Sequence, residues 1–71
     1  MRVNGLQERL LSAHAADDRA GLVALYAQAA DESPDRDAAC FFLTHAYVFG
    51  LETDHPAVPA IHARLRAEGR I

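Results

Sequence analysis

A chain of 71 residues with one cysteine has room for a single small domain, 1–71, that no internal disulfide can staple, so helix packing, a partner or a ligand has to stabilise it. Its net charge of −3, with seven positive side chains that are all arginine, argues against the broad basic face that nucleic acid or an anionic membrane requires. No apolar run approaches the roughly 18 residues of a spanning helix, and the start MRVNGLQERL lacks an apolar signal core, so a soluble cytoplasmic protein is expected.

Half of the residues are hydrophobic (51%), but fifteen of them are alanine, which favours helix and buries little area. The larger apolar residues are mostly leucine, and no alternating strand pattern occurs. In chain order, Asn4 with Gln7 forms a capping box that opens a first helix running to about Ala16. Leu6 and Leu10 make its stripe, with Leu11 and His14 beside them. Asp17 and Asp18 cap a second helix with Leu22, Leu25, Tyr26 and Ala29 at i, i+3, i+4, i+7. Gly21 weakens its first turn or admits a close neighbour.

The stretch DESP ends that helix, and Ser33 before Pro34 reads as the cap of a third. This helix is expected to reach Phe49 and stop at Gly50. Thr53 or Asp54 then caps a fourth helix, with Pro56 and Pro59 in its first turn and Val58, Ile61 and Leu65 as its stripe, ended by Gly69. The expected fold is all-α: a small antiparallel bundle of about four helices.

The third helix, ACFFLTHAYVFG at its centre, is apolar nearly all round. At 100° per residue Ala39, Phe42, Leu43, Ala46 and Phe49 share one face, with Cys40 and Tyr47 on its shoulder. Phe41, Thr44, His45 and Val48 lie opposite. Either this is a central helix covered on both sides, or Phe41 and Val48 are exposed on a protein-binding surface.

The chemistry-bearing residues do not converge. Cys40 and His45 are separated by about 140° around the helix, too far apart for a nucleophilic pair, so Cys40 reads as a small buried hydrophobe. Of the four histidines, His14 and His45 should flank the core and His55 and His62 should be solvated. His45, His55 or His62 with Asp54, and Glu52 nearby, are the one conceivable metal- or ligand-binding set, although a structural zinc site usually wants more than one cysteine. No glycine-rich phosphate loop and no catalytic triad pattern is present, and neither a catalytic residue nor a cofactor is expected.

The third helix and its exit resemble the tetratricopeptide-type helical hairpin, and in particular the Sel-like repeat. The matching residues are Ala39, Leu43, Tyr47, Gly50, Asp54 and then Ala57 or Ala60. Leu22, Leu25 and Tyr26 fit the preceding helix of such a hairpin, so that the likeness spans about residues 19–68. Thr44 stands where the Sel-like pattern has glycine or another small residue, and the turn DESPD is longer than that of a tetratricopeptide. The resemblance implies a protein–protein interaction role with no catalytic residues to carry over. The residues therefore point to a small interaction module, an adaptor or an accessory subunit of a bacterial assembly, with a protein partner or a second copy of itself.

Overall fold

Alanine- and leucine-rich segments make up the helices, and aspartate side chains cap the two middle ones. The computed structural model describes residues 5–71, and among these the chain forms four α-helices and no strand: α1 Gly5–Ala15, α2 Arg19–Glu32, α3 Arg36–Thr53 and α4 Val58–Ala67. The expected Asn4 cap of α1 lies outside the described residues.

Helices adjacent in the chain are adjacent in space, and polar contacts at their ends fix their directions. Arg9 on α1 reaches Gln28 on α2 (3.3 Å), Arg19 at the start of α2 meets Glu52 at the end of α3 (3.5 Å), and Arg36 at the start of α3 meets Glu68 just past α4 (3.2 Å). The run is thus antiparallel throughout. Arg64 of α4 also reaches Asp31 of α2 (2.8 Å). These ion pairs are solvent-exposed and set register rather than stability. Hydrogen bonding to Asp17, with the charges of Asp17 and Glu52, raises the Arg19 pKa; hydrogen bonding to Asp37 raises that of Arg70 first among several causes.

The helix boundaries differ from the expected ones at four places, each for a local reason. Asp17 adopts the left-handed conformation (φ 55°) that ends α1, while Asp18 alone caps α2 by accepting from the Gly21 N–H (3.0 Å). A Cβ on Gly21 would lie 2.3 Å from that carboxylate, so the glycine makes room for the cap. The cap of α3 is Asp35, which accepts from Ala38 N–H (3.2 Å), and not Ser33. Ser33 instead closes α2, its N–H donating to Ala30 O (3.2 Å). Gly50 does not stop α3: the helix runs on to Thr53 and ends at Asp54, which is left-handed (φ 53°) and donates its N–H to Gly50 O. Asp54 is therefore the C-cap of α3 and caps nothing in α4, whose N-cap is Ala57 with no side-chain bond and Pro59 in its first turn. Gly69 does end α4, with φ 74°.

The core joins Val23 and Ala30 of α2, Cys40, Leu43 and Ala46 of α3, and Ile61 and Leu65 of α4. Leu22 and Ala29 on α2 and Ala13 on α1 are also buried. Val23, fully buried, was not on the expected stripe: it faces α3, its Cγ2 3.8 Å from where a Cβ on Gly50 would stand, so α2 packs over a wider arc than i, i+3, i+4 spacing marks. Gly50 is buried where α4 crosses α3, and a Cβ there would lie 2.7 Å from Val58 Cγ2.

Gly50→Ala thus gains helix propensity of up to about 1 kcal/mol but overpacks against the stiff Val58 at about 1–3 kcal/mol. The expected net result is a destabilisation of about 1 kcal/mol in urea melts, relieved when Val58→Ala is added. Leu22→Ala, which empties a wholly buried site, should cost about 2–4 kcal/mol and lower the urea midpoint accordingly, a large share of the stability of a chain of this size.

Candidate functional site

The four helices form a thin slab, with principal extents of 37 × 27 × 13 Å over the Cα atoms. A slab this thin cannot cover both sides of an apolar helix. α3 turns Cys40, Leu43, Ala46 and Gly50 inward, and its outer arc stays open. Phe41 is 61% exposed, Val48 48% and Leu51 57%. Of the two arrangements open to the sequence, the exposed one is realised: α2 and α4 flank α3 without reaching this arc.

At 100° per residue Phe41, Thr44, Val48 and Leu51 fall within an arc of about 80°, and His45 widens it to about 120°. The arc is chemically apolar in spite of its two polar residues. Thr44 Oγ1 donates to Cys40 O (2.8 Å), back onto its own helix. His45 Nδ1 lies 2.9 Å from Phe41 O, and since a carbonyl only accepts, Nδ1 carries the proton. Thr44 therefore presents its methyl group, and His45 presents a ring. Between Asp37 near the start of α3 and Glu52 near its end there is no Asp, Glu, Lys or Arg.

A lattice of rings supports the face from beneath. The Tyr26 ring of α2 stacks on His45 (centroids 5.0 Å) and on Phe49 (6.0 Å), and lies near Phe42 (6.2 Å). Its hydroxyl pairs with His14 Nε2 at the end of α1 (2.8 Å), and the His14 ring also meets Phe49 edge-on (5.9 Å). Phe41 packs edge-to-face on His45 (4.5 Å). Tyr26 is thus the hub that ties α1 to the open face of α3. Two shallow depressions flank the His45 ring. One, of about 270 Å³, is lined by Thr44, His45, Val48 and Phe49. The other, of about 310 Å³, runs from Phe41, Thr44 and His45 to Asp37 and Arg70.

The remaining candidates fall elsewhere. Cys40 is a free thiol buried in the core. His55 and His62 are half-buried rather than solvated: His55 Nδ1 accepts from Ala57 N–H (3.0 Å), and the His62 ring lies 5.8 Å from that of Tyr47. His14 is exposed and His45 half-buried. Among the described residues no three His, Cys, Asp or Glu side chains gather where they could hold a metal ion. A third depression, about 340 Å³, opens above Cys40 and Leu43, and its rim arginines Arg36 and Arg64 are ion-paired to Glu68 and Asp31. No helix among the described residues is long and apolar enough to cross a membrane.

Of the four residues singled out on sequence, Phe41, Thr44, His45 and Val48 do share one surface. Leu51 was missed, because reading Gly50 as a helix stop placed it in a loop. The spacing Thr44, Val48, Leu51 was the signal that could have found it. Comparison of the chain with protein-family models, with curated proteins and with solved structures finds no match.

Tyr26→Phe removes one half-exposed hydrogen bond and should cost less than about 1 kcal/mol. Tyr26→Ala removes the hub and should cost about 2 kcal/mol or more, with the loss read in thermal melts and in faster amide exchange along α1.

Proposed function

We propose that this chain is a small all-α protein–protein interaction module, an adaptor or an accessory subunit of a bacterial cytoplasmic assembly, with no catalysis of its own. Its docking face is formed by Phe41, Thr44, His45 and Val48, extended by Leu51. The observation that carries this reading is the open outer arc of α3: Cys40, Leu43, Ala46 and Gly50 are buried, whereas Phe41, Val48 and Leu51 stand together in solvent. Helices of monomeric proteins direct their large apolar residues inward, and a contiguous exposed apolar stripe marks a surface for another molecule. The tetratricopeptide-type hairpin resemblance supports the same role, since α2 and α3 are the helices on which it rests. The ion pairs at its ends, Asp37 with Arg70 and Glu52 with Arg19, and the donors of Thr44 and His45 bonded to their own helix suit apolar burial, and nucleic acid remains disfavoured by the net charge of −3.

The face is tested with the untagged wild-type chain and the double variant Phe41→Asp, Val48→Asp. Both substituted side chains lie outside the core, so circular dichroism and the melting temperature should stay close to wild type. At high dilution the wild type should enhance the fluorescence of an apolar dye, and the double variant should not. In affinity capture from the native host, a partner retained by the wild type and lost with the double variant supports the reading. Equal dye binding and equal capture by the two proteins refutes it.

A further inference from the structure

The core that α2, α3 and α4 share closes without α1. Among the described residues, none of its buried members comes from α1, and neither do the half-buried residues packed against them. A second apolar seam lies beside that core. On α2, Leu22 and Ala29 are buried but stand outside it, and with Tyr26 they fall within an arc of about 60°. Val23 and Ala30, which belong to the shared core, sit about 80–100° round from Leu22. On α1, Leu6, Leu10 and Ala13 fall within a similar arc of about 60°, and every other residue of α1 is exposed. The contacts of Arg9 with Gln28 and of His14 with Tyr26 lay the two arcs antiparallel.

The seam is thin. Ala13 is the one buried residue of α1, Leu6 and Leu10 are half-buried, and Leu11 stands in solvent. α1 has 11 residues, and isolated helices shorter than about 12–15 residues are marginal in water. Its order therefore rests on α2, so that release of α1 and melting of α1 are one event. α2 keeps its own start when α1 leaves. Asp18 caps it through the Gly21 N–H (3.0 Å), and Arg19 is ion-paired to Asp17 and to Glu52 of α3. The left-handed residue Asp17 (φ 55°) separates the two helices. Two polar contacts close α1 on α2. The one between Arg9 and Gln28 is long and exposed (3.3 Å), whereas His14 Nε2 and the Tyr26 hydroxyl pair at 2.8 Å, with the His14 ring edge-on to Phe49.

We propose that α1 is a detachable strap: it unfolds as one unit about Asp17, with the His14–Tyr26 pair as its latch, while α2, α3 and α4 stay folded around their own core. Release uncovers Leu22, Tyr26 and Ala29, an apolar strip on α2 that the closed strap hides, and frees the edge of Phe49 from His14. Tyr26 and Phe49 belong to the ring lattice that also carries His45. The uncovered strip is therefore continuous with the open arc of α3, and the apolar surface of the chain widens onto α2 only when the strap is open. The device stands whether or not the arc of α3 is a docking face.

Residue-resolved native-state hydrogen exchange of the full untagged chain, at several urea concentrations below the unfolding transition, tests this. The first four N–H groups of a helix lack a helical partner, so the later amides of α1, from Arg9 to Ala15, carry the signal. Relative to their intrinsic rates they should exchange at least about tenfold faster than the amides of α3 from Leu43 to Val48, and with a smaller urea dependence, because opening of α1 exposes less surface than unfolding of the whole chain. Ile61→Val perturbs the core that α1 does not join. It should speed exchange in α3 by about two- to tenfold and leave exchange in α1 unchanged. A chain that opens only as a whole would show the same factor in both helices. Tyr26→Phe keeps the ring and removes the latch hydroxyl, and should speed exchange in α1 by about two- to fivefold. Equal protection and equal urea dependence in α1 and α3, or an Ile61→Val effect of the same size in both, overturns the proposal. So does a Tyr26→Phe chain whose α1 exchanges at the wild-type rate.

Discussion

The fold depends on how closely α3 can approach both α2 and α4. That approach is set by small residues. Ala46 and Ala30 have almost no exposed surface, and Gly50 lets Val58 of α4 sit where a Cβ would otherwise be. Short side chains at a helix crossing bring backbones together and strengthen dispersion contacts, but they bury little apolar area per residue. The consequence is a tight but thin core, in which Leu22, Val23, Leu43, Ile61 and Leu65 supply most of the large buried side chains. Phe41, Val48 and Leu51 of α3 stand outside that core. Internal packing and the exposed stripe are therefore two results of one arrangement of residues along α3.

The aromatic lattice couples these two results. Tyr26 touches His14 of α1 through its hydroxyl and His45 and Phe49 of α3 through its ring. Rings in contact hold one another in fixed rotamers, so the side chains under the open face are ordered without a partner present. An ordered apolar surface loses less entropy on docking than a mobile one. The same economy appears in Thr44 and His45, whose hydroxyl and Nδ1–H donate to their own helix before any partner arrives. A face built in this way gains from burial without leaving donors stranded beneath a partner.

Much of this was legible in the residues, and the parts that were not share a cause. Helical content, the number of helices and the stripes of α3 and α4 follow from periodicity, which reports which side of a helix is apolar. Periodicity does not report how many neighbours a helix has, so Val23 escaped notice and the fate of Phe41 was open. The ends of helices were read from residue type: serine before proline as a start, glycine as a stop. At Gly50 the type was informative, but for another reason. Its missing side chain serves the crossing with α4 rather than a left-handed turn, and the turn fell to Asp54, which tolerates positive φ because its short polar side chain can bond locally. The two uses of glycine, conformational freedom and close approach, look identical in a single sequence. Distinguishing them requires knowing where Val58 lies.

That one misread end also concealed the length of the face. With α3 stopped at Gly50, the stripe has Phe41 and Val48 about its middle and nothing beyond. With α3 continued to Thr53, Leu51 and Glu52 join it, and the stripe runs between two ion-paired ends, Asp37 with Arg70 and Glu52 with Arg19. The extra turn of α3 is thus what lengthens the exposed stripe. It arises from Gly50 remaining helical, which in turn rests on the packing of Val58 against it.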